Sequence, residues 1–191
     1  MYVKQLHGVS HTLAKVRGRI LRLVVVSDTH DRIDIIERMF NTIREIENIA
    51  AIVHLGDLVS PFTLAYMLKY PYKLLVILGN NDGDKTTLKE LGLRGGAIVR
   101  DHVYEFTIGG RRILAVHGFY SKEITRNIVY AIARGGQYDV VLYGHTHEVD
   151  VTRINTTLVL NPGELCGYLT GRSTFAVIDL ESLNVEVVDL K

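Results

Sequence analysis

Short apolar runs alternate with amphipathic segments through the first half of the chain. The apolar runs are rich in β-branched residues and predict buried strands at residues 21–26, 51–55 and 74–78. The segments that follow them predict helices over residues 36–46, 61–70 and 86–91. Asp31 is placed to cap the first helix, and Asp34 puts a negative charge in its first turn. This alternation indicates right-handed crossovers and a largely parallel sheet.

The second half of the chain has a different pattern. Gly109 and Gly110 separate two apolar segments, which predicts a hairpin because paired glycines supply the positive φ of a tight turn. A helix is predicted over residues 121–134, with an inner face of Ile124, Ile128, Ala131 and Ile132. Further strands are predicted at residues 140–143, 149–154, 158–160, 174–178 and 185–188. We therefore expect two packed β-sheets, one mostly parallel and one mixed, with helices outside both.

The chain divides into an extension and one domain. Residues 1–20 are mixed polar and basic positions without a clear period, and we interpret them as an N-terminal extension that is packed on the surface or frayed. Strand and helix patterns then follow one another, and no internal repeat accompanies them. Residues 21–191 are therefore expected to form a single domain.

Composition and charge exclude several function classes. The chain has 191 residues, of which 47% are hydrophobic and 23% charged, as in an ordinary globular protein. The formal net charge is +1, so we do not expect a nucleic-acid partner. No apolar run approaches the ~20 residues that span a membrane, so no membrane partner is expected either. The single cysteine, Cys166, excludes an internal disulfide, and we expect a cytoplasmic location.

Five predicted loops share a feature that composition alone does not require. Each follows a hydrophobic strand and presents Asp, Asn or His beside a small residue. The loops are Asp28-Thr29-His30, Gly56-Asp57, Gly79-Asn80-Asn81-Asp82, His117-Gly118 and Gly144-His145-Thr146-His147. Ligands of wound α/β sheets bind beyond the carboxyl ends of the strands, so these loops could converge on one crevice.

The number and type of these side chains indicate what the crevice could hold. Seven of them are candidate metal ligands: Asp28, His30, Asp57, Asn80, His117, His145 and His147. One tetrahedral zinc ion takes four ligands, whereas two divalent ions that share a carboxylate use all seven and leave room for water and substrate. Such a centre keeps a net positive charge, which suits a phosphate. Imidazole, carboxylate and amide ligands fit Mn, Fe or Zn better than Cu(I).

The five loops together resemble the signature of the calcineurin-like metallophosphoesterases. That signature is D-x-H, G-D, G-N-x-[DE], a histidine usually followed by glycine, and G-H-x-H, and all five blocks stand here in order over residues 21–147. The compact spacing and the later N-P-G segment, residues 161–163, are most similar to the YfcE-like phosphodiesterase branch. That branch also includes the retromer subunit of this fold. The resemblance implies an α/β fold, a four-layer αββα sandwich of two mixed β-sheets flanked by helices.

The resemblance also implies roles for individual residues. The first metal ion would be held by Asp28, His30, Asp57 and His147, and the second by Asp57, Asn80, His117 and His145. Asp57 would bridge the two ions, and a hydroxide between them would attack phosphorus in line. Mn is the first expectation for both divalent ions, with Fe, Zn, Ni or Co as alternatives. Relatives in this branch often form dimers or tetramers, so a homodimer or homotetramer is consistent with the resemblance.

Two positions depart from the family pattern. Many relatives have a histidine where this chain has Asn81, which can donate a hydrogen bond but cannot act as a general acid. We regard Asn81 and Asp82 as candidate catalytic residues, with Asp82 also a candidate orienting group behind the ligands. Relatives commonly continue N-P-G with serine, and this chain has Glu164. A carboxylate near a phosphate pocket would repel anions or recruit a cation.

These observations favour a dinuclear metal-dependent phosphodiesterase over a monoesterase, acting on a small phosphodiester or another phosphate-containing substrate. The alternative is a non-catalytic interaction scaffold similar to the retromer subunit, although a scaffold that had lost its activity would be expected to lose ligands. A nuclease is a third option, which would need more basic surface. Residues outside the motifs have simpler interpretations: His54 as a hydrogen-bonded core residue, Cys166 as a small buried residue, and Arg111-Arg112 as a solvated turn.

Overall fold

A computed structural model describes residues 20–190, so residues 1–19 of the predicted extension lie outside the described residues. The described chain contains eleven strands and four helices. The strands are β1 (Arg22–Val26), β2 (Ile49–His54), β3 (Leu74–Leu78), β4 (Ile98–Asp101), β5 (Val103–Ile108), β6 (Arg111–Val116), β7 (Val140–Tyr143), β8 (Val149–Ile154), β9 (Thr157–Pro162), β10 (Thr174–Asp179) and β11 (Val185–Asp189). The helices are α1 (Ile33–Ile43), α2 (Pro61–Met67), α3 (Lys85–Gly95) and α4 (Lys122–Arg134).

The strands form two mixed sheets. The first has six strands in the order β11-β10-β1-β2-β3-β4, and the second has five in the order β5-β6-β7-β9-β8. Strands β1 to β4 are parallel, whereas β10 returns antiparallel to β1. In the second sheet β6, β7 and β9 are parallel, and the outer strands β5 and β8 run antiparallel to them. The sheet that we expected to be mostly parallel is therefore mixed as well, because the chain returns to it through β10 and β11.

Three apolar layers hold these elements together, which confirms the four-layer sandwich. One lies between the first sheet and helices α1, α2 and α3, one between the two sheets, and one between the second sheet and α4. Strand β1 shows how one strand serves two layers: Val24 and Val26 pack toward the helices, and Leu23 and Val25 pack between the sheets. A strand that is buried on both faces needs the continuous apolar run seen in the sequence.

The expected cap of the first helix is wrong. Helix α1 starts after Arg32, and no side chain caps its first turn. The Asp31 carboxylate instead accepts hydrogen bonds from the Ser60 backbone N–H (3.2 Å), the Ser60 hydroxyl (2.7 Å) and the Thr63 hydroxyl. Asp31 therefore ties the loop after β1 to the start of α2. Asp34 does lie in the first turn of α1, as predicted.

The inner face of α4 also differs from the prediction. Thr125, Val129 and Ala133 are the buried positions of this helix, and Ile124 is 43% exposed. The buried face is rotated by one residue because the Thr125 hydroxyl turns inward to bond the backbone of Phe119, with its oxygen accepting from the N–H at 2.8 Å. No helix in residues 20–190 combines the length and the apolar character that crossing a membrane requires.

Candidate metal centre

All seven candidate ligands lie at the carboxyl ends of strands from both sheets. Asp28 and His30 follow β1, Asp57 follows β2, Asn80 follows β3, His117 follows β6, and His145 and His147 follow β7. Backbone hydrogen bonds join neighbouring loops: the N–H of His30 donates to the carbonyl of Asp57 (3.0 Å), and the N–H of Gly144 donates to that of His117 (2.8 Å). The sheets therefore bring together residues that stand more than a hundred positions apart in the chain.

The loops hold most of these ligands in a left-handed backbone conformation. Positive φ angles occur at Asp28 (52°), His30 (41°), Asp57 (56°), His145 (66°) and His147 (62°). Such conformations cost a non-glycine residue on the order of 1–3 kcal/mol each and persist only where surrounding contacts impose them. Five of the seven candidate ligands are thus held in strained loops, which is a frequent property of functional sites.

Asp28 has one carboxylate oxygen in use and one without a hydrogen-bond partner. The side chain is fully buried, and Oδ2 accepts from the Ser27 hydroxyl (2.5 Å) and the His145 backbone N–H (3.0 Å). Oδ1 accepts no hydrogen bond and lies 3.3 Å from His147 Nε2. Burial raises the pKa of Asp28, although His117, His147 and Ser27 oppose that effect. A cation at the free oxygen would stabilise the charged form.

Asp57 lies between histidines of both halves of the centre. Its Oδ2 is 3.8 Å from His30 Nε2, and its Oδ1 is 3.4 Å from His117 Nε2. Burial acts to raise the pKa of Asp57, but hydrogen bonding and charge from His117, with two hydrogen bonds from Asn81, outweigh it and lower the pKa. Asp57 is therefore an anionic carboxylate with both oxygens directed at the centre, as a residue that bridges two cations must be.

Three histidines each use one ring nitrogen to bond a protein oxygen. His117 Nδ1 donates to the Leu55 carbonyl, His145 Nε2 to the Tyr120 carbonyl, and His147 Nδ1 to Glu164 Oε2, each at 2.7 Å. Carbonyl and ionised carboxylate oxygens can only accept, so these nitrogens carry the hydrogen. The opposite nitrogens are therefore the ones that could bind a metal ion: Nε2 of His117, Nδ1 of His145 and Nε2 of His147. Metal-binding histidines are oriented in this way.

The described residues fit divalent cations. Two buried polar atoms lack a hydrogen-bond partner, Asp28 Oδ1 and His30 Nε2, and both belong to this centre. Buried polar atoms without a partner are uncommon in folded proteins and indicate a place where an ion or water binds. His117 Nε2 also lies 3.0 Å from Asn80 Oδ1, so amide, imidazole and carboxylate donors stand together without a thiolate among them.

Cys166 is close to His30 and His147, and the candidate ligand atoms of the three residues lie within 4.8 Å of one another. Burial is the main cause that raises the pKa of its thiol, to about 12, so the sulfur keeps its proton. The buried Sγ donates a hydrogen bond to Glu164 Oε2 at 3.1 Å. The interpretation of Cys166 as a small buried residue is confirmed.

Asn81 and Asp82 both act on Asp57 in this structure. The Asn81 backbone N–H donates to Asp57 Oδ1 (2.8 Å), and its side-chain amide donates to Oδ2 (2.7 Å). Asp82 is buried, and it accepts from the backbone N–H groups of Asp57 (3.0 Å), Val59 (2.7 Å) and Gly79 (2.7 Å). Asp82 therefore has the contacts of an orienting group and none that would touch a substrate.

Glu164 lies behind His147, enclosed by the protein. Its side chain is fully buried and accepts from His147, Cys166, Leu169 and Thr170. Burial acts to raise its pKa, but these hydrogen bonds outweigh that effect and lower the pKa to about 2. The carboxylate is thus ionised and enclosed. Sequence reasoning missed its role behind His147, and the only available signal was a charged residue next to an N-P-G segment.

The interpretation of His54 as a hydrogen-bonded core residue is confirmed, whereas Arg111 and Arg112 belong to strand β6 and only Arg112 is exposed. His54 is fully buried, with Nδ1 accepting from the Gly56 N–H (3.2 Å) and Nε2 donating to the Thr29 hydroxyl (3.0 Å). Its burial lowers the pKa of His54 to about 3. Arg111 and Arg112 stand after the hairpin turn, where Arg111 bonds the Leu180 carbonyl (2.8 Å) and Arg112 pairs with Glu105 (2.9 Å).

Comparisons with known proteins give a family match over most of the described residues. Residues 21–183 match the model of the calcineurin-like phosphoesterase superfamily domain. A phosphodiesterase of Methanocaldococcus jannaschii is 32% identical over 163 residues, which span 84% of this chain and 94% of that protein. A solved structure of a novel archaeal phosphodiesterase has a TM-score of 0.80 at 32% identity, over 89% of this chain and 100% of that one. The crystal structure of Chaetomium thermophilum Vps29 shares the fold, with a TM-score of 0.65 at 20% identity over 89% of this chain and 95% of that one.

Proposed function

This chain belongs to the calcineurin-like phosphoesterase superfamily, and we propose that it is a phosphodiesterase that works with two divalent metal ions. The observation that supports this most directly is the pair of buried atoms without a partner, Asp28 Oδ1 and His30 Nε2, beside the Asp57 carboxylate, whose two oxygens approach His30 and His117. The similarity to the Methanocaldococcus jannaschii phosphodiesterase favours a diester substrate.

We assign the ligands in two groups that share Asp57. The first group is Asp28, His30, Asp57 and His147, and the second is Asp57, Asn80, His117 and His145. The contacts within each group support this division: Asp28 lies against His147, and Asn80 lies against His117. Mn²⁺ is our first candidate for both positions, with Fe, Zn, Ni or Co as alternatives, because hard and borderline cations suit these ligands.

The residues of the chain prepare the centre for in-line attack on phosphorus. Bound divalent ions supply a nucleophile from water at neutral pH and stabilise charge on the phosphoryl oxygens. Asn81 and Asp82 hold Asp57 in place. The Leu55 carbonyl and the Glu164 carboxylate bind one ring nitrogen of His117 and of His147, so the other ring nitrogen of each histidine faces the centre. Asn81 cannot give a proton to the leaving group. We therefore expect the best turnover with diesters whose leaving group departs without a strong acid.

We further propose that the substrate is small and that its organic part meets aromatic side chains beside the centre. Tyr120, which is 91% exposed, supplies the carbonyl that orients His145. Tyr168 lies over the guanidinium of Arg32 at 5.4 Å, and Arg32 in turn bonds the Cys166 carbonyl (2.9 Å). A cytoplasmic location, a homodimer or homotetramer, no nucleic-acid or membrane partner, and a single domain over residues 21–191 remain predictions.

The test combines metal content with turnover. Protein purified without chelator is analysed for metal, and Mn²⁺-dependent cleavage of a chromogenic phosphodiester and monoester is measured. We expect about two ions per chain, preference for the diester, and a loss beyond about 100-fold in Asp57→Asn, since residues merely behind the ligands already contribute 10–100-fold. Asp101→Asn is the matched control, because this exposed carboxylate pairs with Lys89. Protein without metal and without turnover would support the scaffold alternative instead.

A further inference from the structure

Glu164 forms a hydrogen-bonded junction between the metal centre and the segment that follows it. Five donors converge on its carboxylate: His147 Nδ1 (2.7 Å), Cys166 Sγ (3.1 Å), Leu169 N–H (2.9 Å), Thr170 N–H (2.5 Å) and the Thr170 hydroxyl (2.7 Å). Backbone groups hold the carboxylate from one side, so its oxygen toward His147 is fixed in place before any ion binds.

The partners behind the other two histidines are of a different kind. His117 donates to the Leu55 carbonyl and His145 to the Tyr120 carbonyl, and both acceptors are neutral backbone oxygens. Of these three histidines of the described chain, only His147 donates to an ionised carboxylate. Hydrogen bonds to ionised acceptors are roughly twice as strong as those between neutral groups.

From this asymmetry we propose that Glu164 is a positioning residue that makes the metal position served by His147 the tighter of the two. The inference rests on the proposed dinuclear centre. A carboxylate behind a ligating histidine orients the ring and makes the opposite nitrogen a better electron-pair donor, an effect of 10–100-fold in metal affinity. Here that opposite nitrogen is Nε2, which faces the unpartnered Oδ1 of Asp28 at 3.3 Å.

Burial strengthens the argument. Glu164 and Asp28 are both fully enclosed, and His147 lies between them with only 11% of its side chain exposed. Two carboxylates on either side of one imidazole attract a cation strongly where water cannot screen them. In the second group Asn80 is exposed and neutral, and the acceptors behind His117 and His145 are uncharged carbonyls.

The experiment follows ion retention in the full-length, Mn²⁺-loaded protein. Samples are dialysed against a graded series of chelator activities, and metal per chain is measured by elemental analysis. We expect the unsubstituted protein to release its ions in two steps separated by about 10–100-fold in chelator activity. Glu164→Gln keeps the shape of the side chain and removes its charge. In this variant the tighter ion should be released at a lower chelator activity, closer to that of the weaker ion. The chelator activity that releases the weaker ion should not change.

Matched controls separate positioning from a general effect on folding. Asp101→Asn makes the same kind of change, carboxylate to amide, at an exposed residue that pairs with Lys89, so it should release metal as the unsubstituted protein does. Thermal unfolding of the metal-free proteins establishes that each variant is folded, and Glu164→Asp, which is too short to reach His147, replaces Glu164→Gln if the latter is not.

The outcomes are distinguishable. Unsubstituted protein that binds no metal contradicts the proposed function itself. Two ions with a tighter position that is unchanged in Glu164→Gln would overturn the inference alone, and so would an equal shift of both steps or the same shift in Asp101→Asn.

Discussion

The two halves of the candidate metal centre share Asp57 and have two histidines each, but these histidines are supported differently. In the half built on Asp28 and His147, a buried side-chain carboxylate, Glu164, fixes the imidazole. In the half built on His117 and His145, backbone carbonyls do this work, and those carbonyls exist whatever the residue type at their positions. The half with His117 and His145 therefore depends on the fold alone, whereas the half with Asp28 and His147 depends on the fold and on Glu164. Only the support from the Glu164 side chain can be removed by a single substitution without changing a ligand.

Replacing one histidine from each half should have the largest effect and should test whether the halves are distinct. We expect His145→Ala and His147→Ala each to reduce Mn²⁺-dependent diesterase turnover by more than about 100-fold, since both remove a direct ligand and the ligand should count for more than the 10–100-fold of groups behind it. Turnover is measured alongside metal content. One ion should remain in each variant, and it should be held more tightly in His145→Ala than in His147→Ala. Equal retention in the two variants would argue against distinct halves.

Disturbing the residue that orients the shared ligand should weaken both halves together. Asp82 accepts from the N–H groups of Asp57, Val59 and Gly79, and Asp82→Asn turns one of its acceptor oxygens into a donor. We expect both steps of metal release to shift by about 10–100-fold in the same direction, because Asp57 belongs to both groups. Graded chelation measures this, with Asp101→Asn as the exposed control. A shift of one step only would show that Asp57 does not serve both ions.

The smallest effect concerns a buried histidine that belongs to neither half. Burial lowers the pKa of His54 to about 3, far below the ordinary value near 6.5 that the unfolded chain restores. As the pH falls below about 6.5, His54 binds a proton in the unfolded state but stays neutral in the folded state. His54 therefore lowers the free energy of unfolding. The loss reaches at most about 1.4 kcal/mol per pH unit and continues until the pH approaches about 3.

Denaturant unfolding of metal-free protein between pH 7.5 and 5 measures that slope. His54→Asn, which removes the titrating ring, should be less stable at pH 7.5 but should lose less stability on acidification than the unsubstituted protein. Parallel pH profiles for the two proteins would contradict this assignment. Ion retention at pH 7.5 should keep its two separate steps in His54→Asn, because His54 bonds Thr29 and Gly56 and none of the candidate ligands.

Most of the fold could be predicted because its elements have strong local patterns. Strand β1 is a continuous apolar run, and α1 repeats apolar residues at helical spacing, so neither required knowledge of distant residues. Strand β4 (Ile98–Asp101) escaped prediction because it is short and half of it is exposed. The sequence also did not predict that β10 and β11 join the first sheet, because an alternating pattern does not indicate which sheet a strand joins.

For the centre, the sequence by itself determined the ligand types and their place after strands, because each short motif combines a strand end with a chemically suitable side chain. The tertiary structure alone decided which nitrogen of each histidine is free, since that depends on oxygens such as the Leu55 carbonyl, 62 positions from His117. It also decided that Glu164 lies behind His147. A hydrogen bond depends on distance and direction within a few tenths of an ångström, and the chain acquires that geometry only when its strands pack.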